Sequence, residues 1–199
     1  MKSAAAWWTA LGLGLVLALG AGAGAGLGGC NRGERKPEPG SSTDKVEGPP
    51  LDRKLMLSLA TARAYHHQAD VYVADGNNEA ALDVVRKITK MEWPDAPEAQ
   101  EALDDAFARL AKLELAAGRA EEALAIAKRR LEAPVAESFF RSNLISVQGE
   151  LLKARAEQLD ATDRGAASAL RREAIATFQR AIEMNERLQL RLLEEETQP

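Results

Sequence analysis

The stretch that decides the fold is residues 99–130, AQEALDDAFARLAKLELAAGRAEEALAIAKRR. In it Ala99, Leu103, Ala106, Leu110, Leu113 and Ala117 recur at steps of three and four, the spacing of one helix face and not of a strand. Gly118 then interrupts, and Glu121-Glu122-Ala123-Leu124 opens a second, shorter helical run. The same order stands upstream. Leu51, Leu55, Leu59, Ala62, Tyr65, Ala69 and Tyr72 make a long run, Asp75-Gly76-Asn77-Asn78 breaks it, and a shorter run follows. A long helix followed by a short one, twice in succession, points to an internal repeat.

Working outward, the remaining breakers are Trp93-Pro94-Asp95, Ala133-Pro134 and the stretch from Asp160 to Gly165. They divide the chain after residue 50 into six expected helices, at 51–74, 78–92, 96–117, 120–132, 135–160 and 166–195. Asp95-Ala96-Pro97-Glu98 reads as a helix start, with Asp95 accepting from orphan amides, Glu98 returning the bond and Pro97 fitting the first turn.

Superposing the turn glycines sets Ala69, Tyr72, Gly76, Ala81, Val85 and Ile88 beside Ala111, Glu114, Gly118, Ala123, Ala127 and Arg130, a spacing of 42. With Glu173-Ala174-Ile175-Ala176-Thr177-Phe178-Gln179-Arg180-Ala181-Ile182-Glu183-Met184-Asn185 as a further second helix, this pattern resembles the tetratricopeptide repeat family. Gly149 would be the small position of a third first helix. The family period is 34 residues, whereas Ala123 and Ala174 are 51 apart, so the first helices are longer and a segment from Asp160 to Ser168 is inserted. The resemblance implies an all-α, right-handed solenoid of about three helix hairpins over residues 51–196; the other architecture open to these helices is an ordinary antiparallel bundle.

The glycines are unevenly spread: of 15, eight precede Cys30, and four lie beyond residue 50. No charged side chain stands between Lys2 and Arg32, and Trp7 to Leu19 is apolar, the layout of a targeting segment. It ends Leu27-Gly28-Gly29-Cys30, which resembles the lipobox of bacterial lipoprotein precursors. That resemblance implies a signal peptide at 1–29, lipidation of Cys30 and a protein tethered by acyl chains. Asn31, not Asp, follows the cysteine, which in the enteric-type sorting rule favours the outer membrane over the inner. An ordinary signal peptide, or an uncleaved span of about 20 residues, is the alternative. Residues 30–50 hold four prolines, three glycines and balanced charges, a tether with too little apolar surface to fold.

Catalytic and metal chemistry finds little footing. A net charge of −4 and a single cysteine argue against a nucleic-acid binder, a disulfide scaffold or a cysteine-rich zinc module. His66 and His67 are adjacent, point about 100° apart on a helix and cannot share a metal. His66 and Asp70, one turn apart, are expected to form a surface hydrogen bond. Asp104-Asp105 and Glu194-Glu195-Glu196 read as solvated faces, and Lys128-Arg129-Arg130 as positive charge at a helix C-terminus. No cofactor and no enzyme activity are expected, a hydrolase built on His66 being the remote alternative.

The function left is binding. The family resemblance implies a concave surface lined by the first helices, which would present Arg63, His66, Asp70 and Val73, then Asp105, Ala108, Lys112 and Leu115, then Asn143, Ser146, Glu150 and Lys153. His66 and Asp70 stand where co-chaperone members carry part of their carboxylate clamp, so that function is not expected. The expectation is an envelope scaffold or assembly factor that binds a protein or peptide, against a structural or substrate-capturing lipoprotein without a groove.

Overall fold

In the computed structural model the described residues are 52–197. The expected signal segment 1–29, the lipidation site Cys30 and the tether to residue 50 lie outside them. The described residues form six α-helices and no strand: α1 Arg53–Ala74, α2 Asn78–Lys90, α3 Pro97–Ala116, α4 Ala120–Leu131, α5 Phe139–Leu159 and α6 Arg164–Thr197. The chain is therefore all-α here.

Side-chain caps start several of these helices. Asp52 accepts from the amides of Lys54 and Leu55, Asn77 from Ala80, Ser138 from Arg141 and Asp163 from Ala166. Each satisfies a donor that the first turn leaves without an intrahelical acceptor. Two expected starts move for this reason. α5 begins at Phe139 and not at residue 135, because the chain stays irregular after Pro134 until Ser138 caps it. α6 begins at Arg164, two residues early, because Asp163 supplies its cap.

The expected capping by Asp95 does not occur. A residue preceding proline is pushed to extended backbone, and Ala96 is so placed, at φ −146° and ψ 145°, which makes it the N-cap of α3 with no side-chain bond. Asp95 thus sits one position too early. Glu98 stands at the second helical position, one short of where the reciprocal box closes.

The two turn glycines do the same work. Gly76 and Gly118 have φ of 73° and 82°, and after each the next amide bonds back across the helix end, Asn77 to the Tyr72 carbonyl and Arg119 to the Glu114 carbonyl. This left-handed C-terminal turn needs a residue without a Cβ penalty.

Ion pairs give the helix directions. His66 faces Asp105 and Asp70 bonds Arg109, so numbers rise together and α1 runs parallel to α3. Asp104 with Arg141, and Lys112 with Glu150, set α3 parallel to α5 in the same way. Between α5 and α6 the pairs Ser142–Ala181, Gln148–Arg180 and Asp160–Arg171 run in opposite order, so these two are antiparallel. α3 is the middle helix, packed on α1, α2, α4 and α5.

Small residues occupy the close approaches. Ala69, Ala81, Ala111 and Ala123 are wholly buried and Ala174 nearly so, while a Cβ on Gly149 would meet the Phe178 ring at 2.7 Å. Around them Leu82, Val85 and Leu110 fill one apolar cluster, and Leu144, Val147 and Leu151 another. Each such leucine contributes roughly 1.5–3 kcal/mol by leaving water.

Charges also enter the interior, against expectation. Asp104 is 1% exposed. Arg130 Nε donates to it at 2.5 Å and Arg141 Nη1 at 3.4 Å. Arg130 also donates to the Gln100 carbonyl and side chain, and Arg141 to the carbonyls of Arg130, Leu131 and Ala133. Lys128, Arg129 and Arg130 do stand in the last turn of α4 as expected, but Arg130 is turned inward onto Asp104, and Arg141 reaches in from α5 to the last carbonyls of α4. Glu114, also buried, accepts from Arg86 at 2.6 Å and Arg119 at 2.5 Å.

Candidate functional site

α1, α3 and α5, lying side by side and parallel, wall an open cleft of about 630 Å³. α3 supplies its length through Glu98, Glu101, Ala102, Asp105, Ala108, Arg109 and Lys112, steps of one, three and four that keep one helix face turned to it. α1 adds Leu59, Ala62, Arg63 and His66, and α5 adds Phe140 and Asn143. The alanines among these residues keep the floor low. Phe140, 43% exposed, is the large apolar side chain at its edge.

Of the residues expected on the concave surface, the cleft brings together Arg63, His66, Asp105, Ala108, Lys112 and Asn143. Asp70 and Glu150 adjoin it through ion pairs, with Arg109 at 2.6 Å and with Lys112 at 3.3 Å. Val73, Leu115, Ser146 and Lys153 are not in its lining; Lys153 instead lies 3.8 Å from Glu157 of its own helix.

His66 sits at the centre of the electrostatics. The expected bond to Asp70 is not made, because Arg109 takes Asp70 from α3 and turns its other nitrogen to His66 Nδ1 at 3.3 Å. Nε2 faces Asp105 at 3.5 Å. A guanidinium only donates, so Nδ1 accepts and we assign the proton to Nε2. Burial holds the imidazole pKa below its ordinary value, with Asp105 opposing that shift and Arg109 adding to it. The ring is thus neutral at pH 7, and both nitrogens face charged groups, not a hydroxyl to activate. His67 instead lies 3.9 Å from Asp70.

The acidic end of the cleft is shaped by crowding. Burial, with Glu98 and Asp104 nearby, raises the Glu101 carboxyl above its usual range. At the other end Lys112 and Arg109 are positive, while Arg63 of α1, by the register of the His66–Asp105 and Asp70–Arg109 pairs, stands level with Ala102 toward the acidic end. The cleft therefore carries a charge gradient along α3 over an apolar floor. Sequence reasoning missed Arg109, Glu101 and Phe140. The first two were legible, since 98, 101, 105, 109 and 112 continue one helical face; Phe140 depended on the late start of α5.

Among the described residues no group of three or more His, Cys, Asp or Glu side chains is placed to hold a metal ion, and no helix is long and apolar enough to cross a membrane. No family model, curated protein or solved structure matches the chain.

Proposed function

We propose that residues 51–196 are a tetratricopeptide-like right-handed solenoid of three helix hairpins. In this reading it binds a protein or peptide segment in the cleft between α1, α3 and α5 and performs no catalysis. Cys30 carries the lipid that anchors it to the bacterial envelope, with Asn31 directing it to the periplasmic face of the outer membrane. The function is that of a scaffold or assembly factor. One observation carries the reading: three parallel first helices converge Arg63, His66, Asp105, Lys112 and Asn143 on a single open cleft. The identical Gly76 and Gly118 turns support the repeat.

The test places a photo-crosslinking residue at Asp105 or Asn143 in the cleft, and at Asp83 on α2, in the producing bacterium. Adducts at the cleft positions and none at Asp83 support the proposal. Adducts only at Asp83, or none anywhere while the protein is functional, reject it in favour of a structural lipoprotein without a groove. Labelled fatty acid that persists on Cys30→Ala would reject the anchor separately.

A further inference from the structure

α6 carries a second apolar face that nothing among the described residues covers. At 34 residues against 21 for α5, it is about 51 Å long at 1.5 Å per residue. Ala167, Ala174, Thr177 and Ala181 are buried, and Ser142 of α5 donates to the Ala181 carbonyl. Ile175, Ile182, Leu190 and Leu193 are not: they are 69%, 49%, 60% and 58% exposed. At about 100° per residue these four fall within an arc of roughly 80°, about 120° around the helix from the buried residues.

The charges on α6 are divided by its length. Residues 164–180 hold four arginines and one glutamate; residues 181–197 hold five glutamates and two arginines. This is the reverse of what the helix dipole favours, which is acid at the start and base at the end. Glu194, Glu195 and Glu196 lie in the last turn with no ion-pair partner among the described residues, and both arginines of that half are taken by Glu137. A helix that breaks the local charge rule and also leaves an apolar stripe bare has its compensation elsewhere.

We infer that the occupant of this face is a second copy of the same helix, antiparallel, related by a two-fold axis near Met184. Ile175 is nine residues before that point and Leu193 nine after, so each meets the other's counterpart, with Ile182 beside the axis. The same operation lays Arg172, and Arg171 beside its 2.8 Å pair with Asp160, against Glu194 and Glu196 of the second copy, twice; Glu195 falls on the opposite side of the helix. One closed, isologous contact thus covers the stripe and neutralises both ends. It is independent of the cleft, which opens between α1, α3 and α5.

The test is a charge swap in the full chain, solubilised in mild detergent. Arg171→Glu/Arg172→Glu puts acid against acid in a homodimer, and Glu194→Lys/Glu196→Lys puts base against base. Each alone should associate at least about tenfold more weakly than the parent, and their mixture should recover parental affinity as a heterodimer. In a Cys30→Ala background, Ile175→Cys mixed with Leu193→Cys should form a disulfide-linked dimer that neither gives alone. Ile182→Glu, at an exposed position, should leave helix content unchanged by circular dichroism and shift the parent to monomer. A monomeric parent, no recovery on mixing, 175-to-175 links from a parallel pair, or links from Leu193→Cys to Leu57→Cys on the α1 edge would each overturn the inference.

Discussion

Removing the carboxylate of Asp104 tests whether the middle of the molecule is held by charge. In Asp104→Ala, Arg130 loses its 2.5 Å bond and Arg141 its 3.4 Å bond. Both guanidinium groups then remain buried, at about 9% side-chain exposure, with only neutral acceptors. A charged hydrogen bond contributes about 1.5–3 kcal/mol, and stranding a buried charge brings the typical cost of such a deletion to about 3–5 kcal/mol. The carbonyls that Arg141 reaches at the end of α4 and the Gln100 bonds of Arg130 put the expected loss near the lower end, about 3 kcal/mol. For a domain of this size that lowers the melting midpoint by about 6–12 °C. The double replacement Asp104→Leu/Arg130→Leu should recover more than half of the loss, since an apolar pair of similar volume leaves one fewer ion uncompensated. Urea denaturation of residues 51–199 followed by circular dichroism gives both numbers. A single variant within about 0.5 kcal/mol of the parent, or a double variant whose cost equals the sum of the two singles, would refute the buried network.

Three further outcomes follow from local geometry. Gly149→Ala drives a methyl to 2.7 Å from the Phe178 ring and should cost about 1–2 kcal/mol in the same denaturation, overpacking outweighing alanine's better helix propensity. Gly118→Ala meets no neighbouring atom, yet its φ of 82° should cost about 1 kcal/mol by backbone strain alone, with Gly118→Asn costing less. An unfolded imidazole titrates near 6.5 and burial holds that of His66 lower, so its contribution is fully present above about pH 6.5 and is lost as the pH falls through the folded value. Melting midpoints taken from pH 7.5 to 5 should therefore decline, and His66→Gln should flatten that part of the curve.

The helices were legible because every strong breaker falls between apolar runs; the small positions at 69, 111 and 123 were legible from the spacing around Gly76 and Gly118, and those at 149 and 174 from the repeat resemblance of the later helices. Boundaries moved where a cap outweighed the periodicity, as at Ser138 and Asp163. The buried ions were not legible from residue type, since Asp104, Glu114 and Arg130 carry the letters of a solvated face. The alignment held the signal nonetheless. It sets Glu114 against Tyr72 and Arg130 against Ile88, charged residues where the first copy is aromatic and aliphatic, and such a mismatch at a core position requires a buried partner. Half of the residues expected on the concave surface line the cleft. Asp70 and Glu150 reach it only through their ion pairs with Arg109 and Lys112, and Val73, Leu115, Ser146 and Lys153 do not line it.

The alanine-lined contact of α3 with α4 has a mechanical consequence. Ala108 and Ala111 of α3 and Ala123 and Ala127 of α4 share one buried cluster, and side chains this small do little by themselves to fix where one helix stops along the other, a turn being 5.4 Å. Asp104 gives that surface a notch. Moved by one turn, it would leave Arg130 without its carboxylate, and Arg141, whose guanidinium also grips the last carbonyls of α4, would lose its hold on two helices together. Glu114 fixes the other side of α3, between Arg86 of α2 and Arg119 at the start of α4. The charges thus act as dowel pins in a low-friction joint: the alanines let the helices come close, and the ions decide where they stop.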